Sequence, residues 1–215
     1  MPARGRFITL EGGEGVGKST LAAALAAHLG ERGLTVVRTR EPGGSPGAEV
    51  LRGVILNPPS EVAGGWRPTA EALLFYAARS DHIERTIRPA LERGAWVICD
   101  RFSDSTRAYQ VAAGGLAAEH FDALERMCVG PTSPDLTLVL DLPIEIARTR
   151  MKKRALAEDA IEARGTAYHE AVHRAFLDIA KANPQRCVVL DASSSAEALA
   201  EFALGEVRRR FPEVH

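Results

Sequence analysis

Cysteine and aromatic residues are scarce in this chain of 215 residues, and its formal net charge is only −1. The three cysteines, Cys99, Cys128 and Cys187, lie far apart in apolar surroundings, which argues against a disulfide framework and a metal-ligand spacing. Basic and acidic residues nearly balance, 27 against 28, so no basic excess indicates nucleic-acid binding. We interpret the cysteines as core thiols in a reducing compartment.

Long hydrophobic runs are also missing. The apolar run Phe7–Leu10 near the N-terminus has only four residues and ends at Glu11, which is too short for a signal peptide. No apolar stretch anywhere in the sequence is long enough to span a bilayer. We therefore expect a cytoplasmic protein without a membrane partner.

The feature that is present is a complete G-x-x-x-x-G-K-[ST] pattern between a short apolar run and an alanine- and leucine-rich segment. The order of strand, glycine loop and helix is the context of a phosphate-binding P-loop. Loop amides and the helix N-terminus would hold phosphates, a lysine would contact the outer phosphates, and a serine hydroxyl would bind Mg²⁺. The alternative, a glycine-rich turn that caps an ordinary helix, explains neither the lysine and serine nor the preceding strand. The residues predicted to bind the nucleotide are Gly12, Gly13, Glu14, Gly15, Val16, Gly17, Lys18, Ser19 and Thr20.

Short runs rich in Val, Ile and Leu alternate with helical patterns along the whole chain. This alternation predicts one α/β domain over residues 1–215, a three-layer αβα P-loop fold with a five-stranded parallel sheet. The predicted strands are Phe7–Leu10, Thr35–Arg38, Trp96–Cys99, Leu136–Leu140 and Cys187–Leu190. The predicted helices are Ser19–Glu31, Ala48–Leu56, Thr69–Glu92, Ala117–Met127, Ile144–Lys153, Thr166–Lys181 and Ala196–Arg209.

A second chemical cluster follows the third predicted strand, where Asp100 and Arg101 are adjacent. An acidic residue at such a strand end holds Mg²⁺ in P-loop enzymes, directly or through water. Its alternative is the N-cap of a helix. Arg101 would contact phosphates, although an isolated arginine is also a common surface charge. Ser19 and Asp100 are thus the predicted metal ligands.

Several motifs together resemble the bacterial thymidylate kinases, which transfer a phosphoryl group from ATP to dTMP. The match is strong up to about Gln110 and weak beyond Leu142. Its most specific parts are the Arg-Glu-Pro-Gly-Gly and Ala-Tyr-Gln segments, because many other NTPases share the P-loop. The matching segments are Phe7–Gly12, the P-loop, Thr39–Gly44, Leu73–Arg79, Asp100–Phe102, Ser105 and Ala108–Gln110.

The resemblance implies roles for individual residues of the acceptor site. Glu14 would contact the sugar 3′-hydroxyl, since an acidic group beside phosphates is otherwise unfavourable. Phe75 would stack on thymine, although the helical stripe that it shares with Leu74 and Ala78 also suits a core residue. Arg79, one turn further, would contact the base and the monophosphate.

The same resemblance places Ser105, Tyr109 and Gln110 in the nucleoside pocket, with the tyrosine near the sugar 2′ position. Gln110 could equally be a helix-surface amide. The loop at Pro42, with Arg40 and Arg52 nearby, would close over the acceptor phosphate, and surface charge is the competing interpretation of both arginines. The resemblance also implies ATP and Mg²⁺ as cofactors and a homodimer formed by helices packed face to face.

The predicted catalytic residues are Lys18, Arg101 and Arg154. Family members carry an assisting arginine either in the P-loop or in a lid after the fourth strand. Here Gly15 occupies the P-loop position, so the lid, about residues 148–164, would supply the assisting group from Arg154, with Arg148, Arg150 and Lys153 as the alternatives. The segment Asp159–Glu162 lacks an arginine found in many relatives, and Val111–Gly115 lacks another. A kinase for a different deoxynucleoside monophosphate, or a non-catalytic nucleotide-binding relative, stays open as an alternative.

Overall fold

Five strands form one parallel sheet at the centre of the structure. The computed structural model describes residues 4–62, 64–154 and 159–214, and for residues 153 and 154 the backbone only. The strand order is β2-β3-β1-β4-β5, and every neighbouring pair is parallel. The predicted α/β class is confirmed. The strands are β1 (Phe7–Glu11), β2 (Val36–Arg40), β3 (Trp96–Asp100), β4 (Leu136–Asp141) and β5 (Cys187–Asp191).

Helices connect the strands and cover both faces of the sheet. Seven helices were predicted, and all but the long third one begin and end within two residues of their predicted bounds. The helices are α1 (Lys18–Glu31), α2 (Pro46–Leu56), α3 (Pro68–His82), α4 (Arg88–Glu92), α5 (Ser103–Thr106), α6 (Ala118–Cys128), α7 (Ile144–Arg154), α8 (Thr166–Ala182) and α9 (Ala196–Arg210). In the described part of the chain, no helix combines the length and the apolar character that crossing a membrane requires.

Alternate residues of the central strand enter different cores, as the two-residue period of a strand requires. Ile8 and Leu10 of β1 pack in the core that contains α1 and α9. Phe7 packs on the opposite face, with residues from α3, α4 and α6. Cys99 and Cys187 are buried and unpaired, as predicted for core thiols, whereas Cys128 is unpaired but only half-buried.

Strand register brings the predicted functional residues to one edge of the sheet. Leu10 of β1 lies opposite Asp100 of β3, and Arg40 of β2 lies opposite the same aspartate. The amide of Arg101 then donates to the carbonyl oxygen of Leu10 over 2.9 Å. Because parallel strands end together, the loops after β1, β2 and β3 meet here, where ligands bind in open parallel sheets.

The long third helix departs from the predicted continuous Thr69–Glu92. It consists of α3, a π-helical turn at Ile83–Ile87, and α4. Pro89 follows this turn and has no amide hydrogen to donate, so the regular α-helical hydrogen bonding is interrupted just before it. A second π-helical turn, Arg107–Ala112, continues α5 and was not predicted, because a segment of six residues is too short to show a helical period.

Candidate active site

The P-loop has the shape of a phosphate cradle. Lys18 is the first residue of α1 and is only 6% exposed. Its Nζ donates to the carbonyl oxygens of Gly12 at 3.2 Å and Gly13 at 2.6 Å. Burial, together with the charge of Arg101, lowers the pKa of Lys18. The ammonium group is thus held by neutral loop carbonyls, which leaves its positive charge available to an incoming phosphate.

Ser19 and Asp100 meet across the sheet edge. The Ser19 hydroxyl donates to Oδ2 of Asp100 over 2.7 Å, and both are the hard oxygen donors that Mg²⁺ prefers. Within the described residues, no cluster of three or more His, Cys, Asp or Glu side chains is arranged to hold a metal ion. The pair suits Mg²⁺ that completes its coordination with nucleotide phosphates and water.

Glu14, Arg101 and Tyr109 form a compact polar group beside the cradle. Arg101 donates through Nη2 to Oε1 of Glu14 at 2.6 Å and to the Tyr109 hydroxyl at 3.0 Å. The Tyr109 hydroxyl donates to the same Glu14 oxygen over 3.1 Å. Burial by itself would raise the pKa of Glu14, but Arg101, Lys18 and Tyr109 hold it at about 2. Glu14 is therefore an ionised acceptor at neutral pH.

Arg101 is anchored in an unusual backbone conformation. Its φ of 70° makes it the one non-glycine residue with positive φ among the residues that the structure describes. Strained backbone of this kind costs about 1–3 kcal/mol and is concentrated at functional sites. Arg101 Nη1 also donates to Gly12 O at 2.9 Å and to Ser105 Oγ at 3.0 Å, so the guanidinium ties β3 to the P-loop.

Glu11 holds the segment that follows Arg101 and was not predicted as a site residue. Its Oε1 accepts from the Phe102 amide at 2.8 Å, and its Oε2 accepts from the Ser105 hydroxyl at 2.6 Å. Complete burial, with a contribution from Asp104, raises the pKa of Glu11 to about 8. An acidic residue at the end of an otherwise apolar strand was the available signal.

Arg79 forms the centre of a buried ion-pair group. It is 2% exposed and donates through Nε to Glu41 at 2.7 Å and through Nη2 to Thr106 at 3.1 Å. Its guanidinium lies 5.2 Å from the centroid of the Phe102 ring. His82 contacts the other oxygen of Glu41 at 3.0 Å. Among the described residues, Nη1 of Arg79 is the one buried side-chain nitrogen or oxygen without a hydrogen-bond partner.

A second buried group surrounds Gln110. The Gln110 Nε2 donates to Oε2 of Glu71 over 3.0 Å, and Arg164 pairs with the other Glu71 oxygen. Arg164 also donates to the Tyr168 hydroxyl at 2.6 Å, which in turn donates to the Tyr109 carbonyl at 2.8 Å. Sequence reasoning missed Glu71 and Arg164. The position of Glu71, one helical turn before Phe75, was a usable signal for the first of them.

A cavity of about 310 Å³ joins these groups to the P-loop. Phe75, half-buried, lies in its wall, and Arg52 reaches it by donating to the Pro42 carbonyl over 2.7 Å. The structure thus brings nearly all predicted acceptor-site residues together. Those that line this cavity are Glu14, Lys18, Ser19, Pro42, Arg52, Phe75, Arg79, Asp100, Arg101, Ser105, Tyr109 and Gln110.

Two other predictions have different outcomes. Thr20, which was predicted to bind the nucleotide, lines a separate cavity of about 170 Å³ beside the P-loop together with Leu21, Arg150 and Leu199, and its role stays a prediction. The Arg154 side chain lies outside the described residues, and its predicted role stays a prediction. Arg148 donates to Thr166 over 2.8 Å.

A phosphate-binding loop and an adjoining cavity for a second ligand, both at the carboxyl ends of parallel strands, define a P-loop kinase that acts on a small acceptor. Comparison with known families agrees with this class, since the thymidylate kinase family model matches residues 10–203. The chain belongs to the thymidylate kinase family.

Individual relatives match over nearly the whole chain. A thymidylate kinase from Bradyrhizobium sp. (strain ORS 278) is 47% identical over 211 residues, covering 97% of this chain and 92% of the relative. A thymidylate kinase from Caulobacter vibrioides is 51% identical over 196 residues, covering 91% of this chain and 92% of the relative. The crystal structure of thymidylate kinase from Ehrlichia chaffeensis matches with a TM-score of 0.75 and 30% identity over 96% of this chain and 100% of that one. The resemblance inferred from the motifs is confirmed.

Proposed function

We propose that the chain transfers the γ-phosphoryl group of ATP to dTMP, giving dTDP and ADP. One observation carries the assignment of the acceptor: the cavity that contains Lys18, Ser19 and Asp100 is also lined by Arg79, whose buried Nη1 has no hydrogen-bond partner among the described residues. Phosphoryl transfer and base recognition therefore share one enclosure. A buried donor without a partner costs about 1–3 kcal/mol, which a base oxygen would recover.

The donor nucleotide occupies the P-loop. Loop amides and Lys18 hold its β- and γ-phosphates, and Ser19 with Asp100 holds Mg²⁺, which supplies charge neutralisation when it is bound. The smaller cavity at Thr20 takes the adenine, because Leu21 and Leu199 offer apolar contact and the Arg150 guanidinium offers a planar surface.

The acceptor lies with its sugar at Glu14 and its base at Arg79. Glu14, ionised and held by Arg101 and Tyr109, accepts a hydrogen bond from the sugar 3′-hydroxyl and fixes the distance between the acceptor phosphate and ATP. Phe75 stacks on the base. Arg52, held by the Pro42 carbonyl, contacts the acceptor phosphate.

Catalysis then consists of positioning and charge stabilisation. The acceptor phosphate is already ionised near neutral pH, so no side chain has to remove a proton from it. Lys18 and Arg101 stabilise the charge that spreads over the transferring group, and an arginine of the lid completes them. The predicted residue for this step is Arg154, which the helix α7 carries at its C-terminal end.

The family resemblance also leads us to propose a homodimer. Large apolar side chains are exposed on α2, α3 and α6: Val50 at 71%, Leu73 at 51% and Met127 at 74%. The helix α3 packs against both α2 and α6, so the three helices form one layer. A Leu73→Lys variant should lower the molar mass measured by light scattering by half, whereas an unchanged mass would place the interface elsewhere.

A coupled ADP-release assay tests the proposed reaction. The purified chain is supplied with ATP, Mg²⁺ and one of dTMP, dUMP, dCMP, dAMP or dGMP, and kcat/KM is compared. We expect dTMP to be the best acceptor and a Lys18→Ala control to lose turnover by several orders of magnitude. Preference for another monophosphate would reassign the acceptor, and binding without turnover in every mixture would refute the proposed kinase activity.

A further inference from the structure

The helix α3 presents three site residues on one face, at a spacing of one turn each: Glu71, Phe75 and Arg79. Phe75 and Arg79 have proposed ligand contacts, but Glu71 has none. It is nevertheless 4% exposed, and burial of a carboxylate is costly unless it is paired and hydrogen-bonded. Its two oxygens are used by Gln110 and by Arg164.

Glu71 determines which end of the Gln110 amide is available to a ligand. An ionised carboxylate only accepts hydrogen bonds, so it can bond the amide nitrogen of Gln110 and never its oxygen. The observed contact, from Nε2 to Glu71 over 3.0 Å, has this orientation. Gln110 is 1% exposed and lines the acceptor cavity, so its Oε1 remains as the acceptor for a bound molecule.

The cavity is therefore lined by an acceptor from Gln110 and by Arg79, whose buried Nη1 is a donor without a partner among the described residues. Thymine and uracil carry the complementary edge, with a donor at N3–H and an acceptor at O4. Cytosine carries the reverse, an acceptor at N3 and a donor at N4. A site with fixed polar groups rejects the reversed edge, because at least two buried groups would stay unpaired.

We propose that Glu71 is a positioning residue that sets base selectivity by holding the Gln110 amide in the orientation that accepts from an imide N–H. Arg164 pairs with the other oxygen of Glu71 and so holds its carboxyl group in place. Through Tyr168, Arg164 also holds the Tyr109 carbonyl, so one arginine after the lid supports both neighbouring pocket residues. The inference rests on the proposed position of the base beside Arg79.

The test replaces Glu71 by glutamine, whose amide can donate as well as accept, so that Gln110 is free to rotate. The kcat/KM is measured with three acceptors: dTMP, dUMP and 5-methyl-dCMP. The last of these differs from dTMP only at the hydrogen-bonding edge of the base. We expect Glu71→Gln to lower the dTMP/5-methyl-dCMP ratio of kcat/KM by a factor on the order of ten or more. The dTMP/dUMP ratio and the KM for ATP should stay unchanged, because both bases carry the same edge.

Glu125→Gln is the matched control, since it neutralises a carboxylate that accepts from the Tyr76 hydroxyl over 2.6 Å and not from Gln110. Its selectivity should equal that of the unmodified chain. Equal loss for all three acceptors in Glu71→Gln, with unchanged ratios, would reveal a purely structural role and overturn the proposal.

Gln110→Leu separates this proposal from the one on which it rests. A change of selectivity in Gln110→Leu without one in Glu71→Gln overturns the role of Glu71 alone, whereas no change in either variant overturns the position of the base. If Glu71→Gln does not fold, the unmodified chain decides. It should use N3-methyl-dTMP on the order of a hundred-fold less well than dTMP, and equal use would refute the proposal.

Discussion

Replacing Gly15 by alanine tests whether the lid helix is seated directly on the P-loop. Gly15 has a φ of 71°, and a Cβ there would lie 2.8 Å from the Ala147 carbonyl oxygen and 2.8 Å from Met151 Cγ. The methionine side chain can move aside, but the carbonyl belongs to α7 and moves only with that helix. A side chain at position 15 therefore displaces the element that carries the candidate assisting arginines.

The magnitude follows from comparison with a glycine in the same backbone conformation. Gly33, in the turn after α1, has a φ of 78° and nothing within 4 Å of an added Cβ. Gly33→Ala should therefore show only the left-handed backbone penalty, about 1–2 kcal/mol. Gly15→Ala has that penalty as well as the overpacking cost, typically about 1–3 kcal/mol. The effect of alanine on the unfolded chain is common to both variants and cancels.

Urea unfolding measures the difference in the free energy of unfolding, and the coupled assay measures kcat/KM for ATP. We expect Gly15→Ala to be the less stable variant by about 1–3 kcal/mol and to lose most of its turnover. Gly33→Ala should keep the turnover of the unmodified chain. Equal destabilisation and equal turnover in the two variants would show that α7 does not rest on the P-loop. A side chain at position 15 would then leave the lid helix in place.

Three further predictions concern the charged residues. Arg154→Ala should lower kcat by a factor on the order of 10³ at saturating ATP, and an effect near unity would move the assisting role to another basic residue of α7. Arg79→Lys keeps a positive charge next to Glu41, but a lysine cannot contact Glu41 and the base together. The kcat/KM for dTMP should therefore fall on the order of 100-fold, while the KM for ATP is unchanged. A change in the KM for ATP alone would contradict the assignment. The pKa of Glu11 is raised to about 8 in the folded state, so the folded chain binds more protons than the unfolded chain between pH 5 and 8, and the free energy of unfolding should fall as pH rises through that range. Glu11→Gln should flatten this part of the urea-derived pH profile, and a slope equal to that of the unmodified chain would assign the pH dependence to other groups.

Local patterns predicted most of the framework. The five strands were found within two residues because each is a short apolar run between helical segments, and this contrast is a property of adjacent residues. The π-helical turns at Ile83–Ile87 and Arg107–Ala112 were not found, since an added residue per turn leaves no distinct period in so short a segment.

The sequence by itself determined the P-loop, the α/β order and, through linear motifs, the family to which the chain belongs. Those signals lie within a few consecutive residues, where backbone geometry and phosphate chemistry dictate the residue types. Only the tertiary structure decided the partners of Glu71, Glu41 and Glu11, because each contacts residues 38 or more positions away in the chain, as Gln110 with Glu71 illustrates at a separation of 39. Burial and these distant partners hold the three carboxyl groups in place, and both are set by the packing of the whole fold.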